Sequence, residues 1–309
     1  MISLSNVGDI ILTLPVLSVL KKEFPLSAID VMAGPNGREI FRNHSFAAAF
    51  IEYNKFAKLR EKQGLIRNLR KNRYDLIVDL RNSLLPLLIG SRYRTAVMQP
   101  VSKRGPHKKQ QHLLRLKKLG LDIDNAPFCF YISGKEKEFV SGLLSSLDIK
   151  RPFVVVSPGA KSHIKRWTKE GFGAVCDRII NELGLDVLMV GDAQDKKIIA
   201  GIAALMKCKA VDLSGRLNLR QLGALIERAK LLITNDSAPM HIGASLGAKT
   251  LAIFGPTDPK KYGPTHDGSV VIRKELSCAP CETAQCRENY ECMKLISADE
   301  VFNAAKGLL

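Results

Sequence analysis

The stretch Thr234–Pro259, T-N-D-S-A-P-M-H-I-G-A-S-L-G-A-K-T-L-A-I-F-G-P-T-D-P, concentrates the residue types that could do chemistry. The run Leu231–Thr234 is apolar and strand-like. Asn235, Asp236 and Ser237 break it, and Pro239 stands at the start of a short helix, Met240–Leu246, that Gly247 closes. A polar turn before a helix start presents backbone N–H groups without internal partners and favours negative charge. On this pattern one of Asp236 and Ser237 caps the helix and the other is left to face a ligand. Elsewhere, Pro158-Gly159-Ala160-Lys161 follows a buried strand and leads to Lys165-Arg166-Trp167, which puts a lysine in a loop. In the other half Ser5-Asn6-Val7-Gly8-Asp9 is a turn in which Gly8 permits close approach and Asp9 enters a helix's first turn. Ser237 and His241 are spaced four apart at a helix start, which lacks the elbow of a hydrolase pair.

These groups must be held by strands and helices, and the pattern supplies both. Met1–Leu4 is a strand stub, Ile10–Phe24 a long apolar helix containing Pro15, Ala28–Ala33 and Ala48–Tyr53 strands, and Lys58–Lys71 a basic helix. Tyr74–Leu80 has the composition of a buried parallel strand, with Arg81-Asn82-Ser83 at its carboxyl end, where open α/β sheets bind ligands. The pattern restarts near Lys150-Arg151-Pro152: strand 153–157, a helix capped by Thr168 through Leu183, strand 186–190, helix 196–206, a short strand at 210–213, and a helix capped by Asn218. Strand alternating with helix throughout argues parallel sheets in two domains, 1–150 and 151–309.

The chain has 309 residues, 46% of them apolar, and a net charge of +17. The surplus is uneven: residues 1–150 carry 25 basic and 13 acidic side chains, residues 151–309 carry 22 and 17. An anionic partner is therefore expected at the first half. The dense run Lys103, Arg104, His107, Lys108, Lys109, His112, Arg115, Lys117, Lys118 has few aromatics, which disfavours nucleic acid and leaves a solvated basic face, phosphate or a membrane surface. Asp9 interrupts the apolar N-terminal stretch, no leader cleavage pattern follows it, and no run is long enough to span a membrane. Cys129, Cys176 and Cys208 fall in apolar patterns as buried thiols. Cys278, Cys281, Cys286 and Cys292 cluster with spacing unlike a zinc ribbon, leaving disulfides, free thiols or a structural metal open. Asp122-Ile123-Asp124 has the form of a metal–nucleotide D-x-D but precedes no strong strand. There is no G-x-G-x-x-G and no P-loop.

Taken together, S-N-V-G-D-I-I-L-T-L-P-V-L, V-D-L-R-N-S, S-P-G-A with K-R-W, N-D-S-A-P-M-H-I-G-A-S-L-G, F-G-P-T-D-P and the C-A-P-C segment resemble glycosyltransferase family nine. Its best-known members are the ADP-heptose:lipopolysaccharide heptosyltransferases. The resemblance implies a GT-B architecture, two Rossmann-like domains facing across a cleft, with a first domain for the acceptor and a second for the nucleotide-sugar donor. It implies inverting transfer of a heptose from ADP-heptose without a metal or other cofactor. It places Asp9 as general base and Lys165 on the donor phosphates. Gly159, Ala160, Asp195 (at the ribose), Leu217 (at the adenine), Asp236, Ser237, Ala238 and His241 fall on the donor side, and Gly8, Arg81 and Asn82 on the acceptor side. Ser3 stands where the family often has Lys or Arg. The expected partners are the donor, an anionic lipid-anchored glycan and an anionic membrane, with no nucleic acid; the expected location is cytoplasmic, peripheral to the inner membrane face. The last helix is expected to reach back to the first domain. The alternatives are another nucleotide-sugar, an epimerase of the same architecture, and a non-catalytic glycan- or nucleic-acid-binding relative.

Overall fold

A computed structural model describes residues 1–99, 105–128 and 130–309. Lys103, Arg104 and Cys129 lie outside the described residues. The chain divides into two compact units, Met1–Tyr131 and Ile132–Leu309. The division precedes the Lys150–Pro152 restart because helix Gly134–Ser146 belongs to the second unit. Lys137 pairs with Glu227 at 2.7 Å and Arg228 donates to Ser141 at 2.9 Å, fastening that helix to helix Leu219–Arg228.

The strands are β1 (Asp30–Ala33), β2 (Ala49–Glu52), β3 (Leu76–Ile77), β4 (Tyr93–Arg94), β5 (Phe153–Ser157), β6 (Asp186–Met189), β7 (Val211–Asp212), β8 (Leu231–Asn235), β9 (Thr250–Ile253) and β10 (Ser269–Ile272). The second unit's sheet is six-stranded and all parallel, in the order β10-β9-β8-β5-β6-β7. Strand order therefore reverses between β5 and β8, which pair through Val154–Ser157 and Leu231–Thr234. A crevice opens at such a reversal because the flanking helices leave toward opposite faces. Both of these central strands are buried along their whole length, as their unbroken apolar runs require.

In the first unit β1 pairs with β2 and β3 with β4, all parallel. Ile2 bridges Met32 of β1 and Asp79 beyond β3, so Met1–Leu4 lies between the two pairs. Order thus reverses here too, between Met1–Leu4 and β3. The Tyr74–Leu80 strand is shorter than its composition suggests, since only Leu76 and Ile77 pair as a regular ladder.

One expectation is corrected. The helix over 10–24 is two helices, Val7–Ile11 and Leu14–Glu23. Pro15 has no N–H to continue the ladder onto the Ile11 carbonyl, and at the break the Thr13 N–H and hydroxyl both turn back onto the Ile10 carbonyl, at 2.9 and 2.7 Å. The last helix, Ala298–Leu308, buries Val301, Phe302 and Ala305 in the second unit's own core.

Candidate active site

The second unit's reversal point is built from buried polar side chains. Asn235 ends β8 and is fully buried. A buried amide must bond with both ends, and it does: its NH2 donates to the Pro158 carbonyl at 2.8 Å, and its oxygen accepts from the Trp167 N–H at 3.1 Å. One side chain thereby ties β8 to the loop after β5 and to the start of the Lys165 segment. The Trp167 indole then donates to the Ile296 carbonyl at 3.0 Å, anchoring that segment to the core.

Lys165, at the end of a 3-10 turn (His163–Lys165), reaches back to Asp236 with Nζ–Oδ2 of 2.6 Å. The same oxygen accepts from the Thr257 hydroxyl at 2.6 Å. Asp236 is 6% exposed, and so deep a carboxylate persists only with such partners. Neither Asp236 nor Ser237 caps helix Ala238–Ser245. Ser237 is the N-cap residue, yet its hydroxyl meets Thr234 at 3.1 Å, and no side chain caps the first turn. That helix start therefore keeps its affinity for an anion beside the Lys165 ammonium, which has two donors beyond the one aimed at Asp236. Ala238 opens the helix, and His241 is buried within it.

Gly159, Ala160, Asp195 and Leu217 gather at the ends of β5, β6 and β7. A Cβ at Gly159 or at Gly191 would collide with Asp195, so both glycines exist to let that carboxylate pack down. Burial raises its pKa, against the lowering effect of the Asp192 N–H that it accepts at 3.1 Å. Ala160 is buried, and its carbonyl accepts from Arg166 at 2.9 Å. The Gly215 N–H donates to the Gly191 carbonyl at 2.8 Å, which brings the half-buried Leu217 loop alongside.

In the first unit Asp9 lies in helix Val7–Ile11, half-buried, with one oxygen accepting from the Asn6 amide at 3.0 Å. Gly8 is helical and absent from the left-handed positions, so no turn requires a glycine there. Arg81 spans the reversal point: it donates to Ser5 at 3.0 Å and lies over the Tyr53 ring at 4.8 Å. Asn82 is committed to the fold. Its φ is 62°, and its amide exchanges two 2.8 Å hydrogen bonds with the Gln99 backbone.

Sequence reasoning passed over Asn235, Thr257 and Asp79. Asp79 is fully buried and accepts from Arg81 N–H (2.8 Å), Ser83 N–H (2.7 Å) and Ser83 Oγ (2.9 Å), so it shapes the Arg81 turn. The signal for it was an Asp two residues before that turn's first N–H donor, the Asx-turn spacing. For Asn235 the signal was a polar residue closing an all-apolar strand.

The cysteines Cys176, Cys208, Cys278, Cys281, Cys286 and Cys292 are all free thiols. Among the described residues no group of three or more His, Cys, Asp or Glu is spaced to hold a metal ion. Cys286 accepts from the Glu288 and Tyr290 N–H groups at 3.4 and 3.2 Å. Asp122 pairs with Lys22 at 3.2 Å and turns back onto the Asp124 N–H, which accounts for that pair structurally. Lys109 is not a freely solvated charge: its ammonium lies 5.1 Å from the Phe128 ring centre, and burial lowers its pKa.

A two-unit α/β chain with polar sites at both strand-order reversals has the build of a GT-B glycosyltransferase. The family profile of Glycosyltransferase family 9 (heptosyltransferase) matches residues 63–291. The chain belongs to that family. It is 30% identical to lipopolysaccharide heptosyltransferase 3 of Escherichia coli, over 81% of each chain. Among solved structures it is similar to the glycosyl transferase family 9 protein of Veillonella parvula, with a TM-score of 0.84 and 25% identity over 99% of this chain and 96% of that one. It shares the fold of E. coli ADP-heptose lps heptosyltransferase II, with a TM-score of 0.80 and 24% identity over 99% and 98%.

Proposed function

We propose that the chain transfers a heptose from ADP-heptose to an anionic, lipid-anchored inner-core glycan of lipopolysaccharide, inverting the anomeric centre without a metal. The observation that carries this reading is the Lys165 ammonium held beside an uncapped helix start where strand order reverses. The leaving diphosphate gains negative charge as the glycosidic bond breaks. Lys165 and the first N–H groups of helix Ala238–Ser245 meet that charge with fixed donors, so no solvent has to reorganise. Asp236 and Thr257 hold the ammonium in place. Asp195 and Leu217, gathered over Gly159 and Ala160, take the nucleoside: the carboxylate the ribose hydroxyls, the leucine the base. The acceptor hydroxyl must lose a proton as it attacks, and Asp9 is the carboxylate for it, with Asn6 fixing one oxygen. A single displacement needs no protein nucleophile. The names of the E. coli relatives support the donor and the acceptor class.

The membrane-held acceptor is supported by one face of the first unit. Leu84, Leu87 and Leu88 are spaced i, i+3, i+4 and exposed, and helix Leu59–Lys71 lies alongside, with Arg70 donating to the Leu88 carbonyl at 2.7 Å. Residues 55–94 carry eleven Lys and Arg against three Asp and Glu. Exposed apolar side chains beside a basic helix fit an anionic lipid surface. No helix among the described residues is long and apolar enough to cross a membrane.

The test is binding and turnover together. ADP should bind in preference to UDP and GDP, and ADP-heptose with a core acceptor should turn over in excess EDTA. A UDP or GDP preference would redirect the donor assignment, and activity restored only by Mg²⁺ or Mn²⁺ would overturn the metal-free mechanism.

A further inference from the structure

Four of the chain's seven cysteines fall between Cys278 and Cys292, and their sulfurs share one neighbourhood. Burial raises the Cys292 pKa, and Cys286, Cys278 and Cys281 each add to that rise. Two of the four have donors at the sulfur, as thiolates require. Cys286 Sγ accepts from the Glu288 and Tyr290 N–H groups. Cys281 is exposed, with the Thr283 hydroxyl 3.3 Å from its sulfur. Burial works to raise its pKa, but the Thr283 hydroxyl and N–H outweigh that and hold it below the ordinary thiol value. The thiolate is the nucleophile, so an exposed thiol with such donors is the kind that peroxides attack. Cys278 stands three positions earlier in C-A-P-C and is half-buried. Cys286 spends its sulfur on two N–H groups and Cys292 is buried, which leaves Cys278 to answer an oxidised Cys281.

The residue after Cys281 ties this segment to the Lys165 site. Glu282 donates its N–H to the Pro256 carbonyl at 2.8 Å and pairs with Lys261 at 2.7 Å. Thr257, next to Pro256, holds Asp236, and Asp236 holds Lys165. At the segment's far end Cys292 and Met293 pack so close to Gly255 that a Cβ there would collide with their sulfurs. Glu282 has a φ of 52°, and a side-chain-bearing residue keeps that left-handed backbone only where contacts hold it. A pull on Cys281 is therefore passed to Glu282 and its grip on Pro256. We propose that peroxide oxidises Cys281 and Cys278 to a disulfide, and that this bridge loosens the Lys165 site. The Cys281 thiolate attacks a peroxide oxygen, the O–O bond breaks, and hydroxide leaves a sulfenic acid behind. The Cys278 sulfur then attacks the Cys281 sulfur, the S–O bond breaks, and the oxygen departs as water with the Cys278 proton. In sum, two thiols and one hydrogen peroxide give one disulfide and two waters, and a thiol reductant reverses the bridge. Closing it draws 278–281 together and moves Glu282, so Pro256, Thr257 and Asp236 hold the Lys165 ammonium less firmly. The effect on donor binding rests on reading the second unit as the donor side; the disulfide does not.

The experiment treats the full chain with a small excess of hydrogen peroxide and then with dithiothreitol. Peptide mapping by mass spectrometry should show a Cys278–Cys281 bridge that the reductant removes. Hydrogen exchange in segments 254–258 and 163–167 should rise in the oxidised chain and recover on reduction. ADP affinity, read by calorimetry, should fall several-fold on oxidation. C278S and C281S should bind ADP like the reduced wild type and lose all three responses, whereas C208S should keep them. No bridge, a bridge only to Cys286 or Cys292, or a metal retained on these sulfurs through dialysis would each overturn the proposal. So would a bridge that leaves exchange in both segments unchanged, or one that leaves ADP affinity unchanged in a chain that binds ADP. A reduced wild type that does not bind ADP would instead sink the donor reading, and mapping and exchange would still decide the bridge and its effect on the Lys165 site.

Discussion

Both units place polar groups where strand order reverses, but they hold them differently. At β5/β8 the groups are buried and bonded to one another: Asn235 to Pro158 and Trp167, Asp236 to Lys165 and Thr257, Thr234 to Ser237. Beside Met1–Leu4 the groups that face outward, Asp9 and Arg81, are half-buried and make one side-chain hydrogen bond each, to Asn6 and Ser5. The sheets differ in the same sense, six strands in continuous register against two short pairs joined through Ile2. A site whose polar groups are also core bonds cannot change without cost to folding. A site of lightly held side chains on a turn can be retuned. On the proposed assignment the donor is read by the fixed half and the acceptor by the adjustable half.

The largest effect should come from the lightly held side. Asp9→Asn should lower kcat by about 10²–10⁴-fold, the scale of lost general-base catalysis. It should leave ADP affinity unchanged and stability within about 0.5 kcal/mol, as expected of a substitution outside the core. Single-turnover kinetics and urea unfolding check both. Unchanged turnover would remove Asp9 as the base; a large loss of stability would break the comparison, because Asp9 would then be as structural as Asn235.

The converse applies to the bonded side. Asn235→Ala leaves the buried Trp167 N–H and Pro158 carbonyl without their partner, at about 1–3 kcal/mol for each group left unsatisfied. Unfolding midpoints should fall accordingly, and ADP affinity should fall with them because the Lys165 segment loses its tether. A variant as stable as wild type would show that the network is ornamental to the fold.

How much of this was legible in the sequence follows the same division. Buried strands announce themselves by unbroken apolar runs, so β5, β8 and β9 were readable, and Thr168 and Asn218 were readable as caps because each accepts an N–H of its helix's first turn. The helix break at Leu12–Thr13 was hidden because apolar periodicity continues across it, although Pro15 was the marker. Lys165 and Asp236 were picked out singly, but their contact is made across 71 positions and only the fold brings it about. Arg94 of β4 lies beside Arg115 and Lys118 at the end of helix Lys108–Lys117, and sequence saw only the last two, as members of a basic run. Helix 108–117 also buries His112, whose role is invisible in a string of Lys, His and Arg.

His112 sharpens the comparison through pH. Burial, with Arg115, Lys108 and His107 adding to it, pushes its pKa down to about 4 from an ordinary 6.5. The unfolded chain therefore takes up this proton first as pH falls. Stability from the neutral imidazole is complete above about pH 6.5 and is lost between there and about pH 4, roughly 3 kcal/mol in all. Hydrogen exchange at pH 7 and pH 5 should show helix 108–117 loosening while β5, β8 and β9 stay protected. His112→Leu should remove that difference. Equal loosening of both units would assign the acid sensitivity elsewhere.

The smallest expected effect concerns the Leu84, Leu87, Leu88 face, and it separates apolar from electrostatic contact. If the adjustable unit docks on an anionic membrane, two forces act. The basic side chains of residues 55–94 draw it in through a field screened over about 8–10 Å, and the leucines then enter the interface. Adding salt weakens the first force and leaves the second. Leu87→Ser/Leu88→Ser should lower partition onto vesicles of three parts phosphatidylcholine to one part phosphatidylglycerol by several-fold at every salt concentration, with the salt slope unchanged. Neutralising Lys71, an exposed cation at the end of helix Leu59–Lys71, should change the slope and little else. Turnover on a short soluble acceptor should be untouched by either change, since neither touches Asp9 or Lys165. Vesicle sedimentation across a salt series reads both forces. A leucine variant that partitions like wild type would leave the face without a lipid partner, and a shift in sedimentation velocity of the wild-type chain toward a dimer, lost in the variant, would give it to a second copy instead.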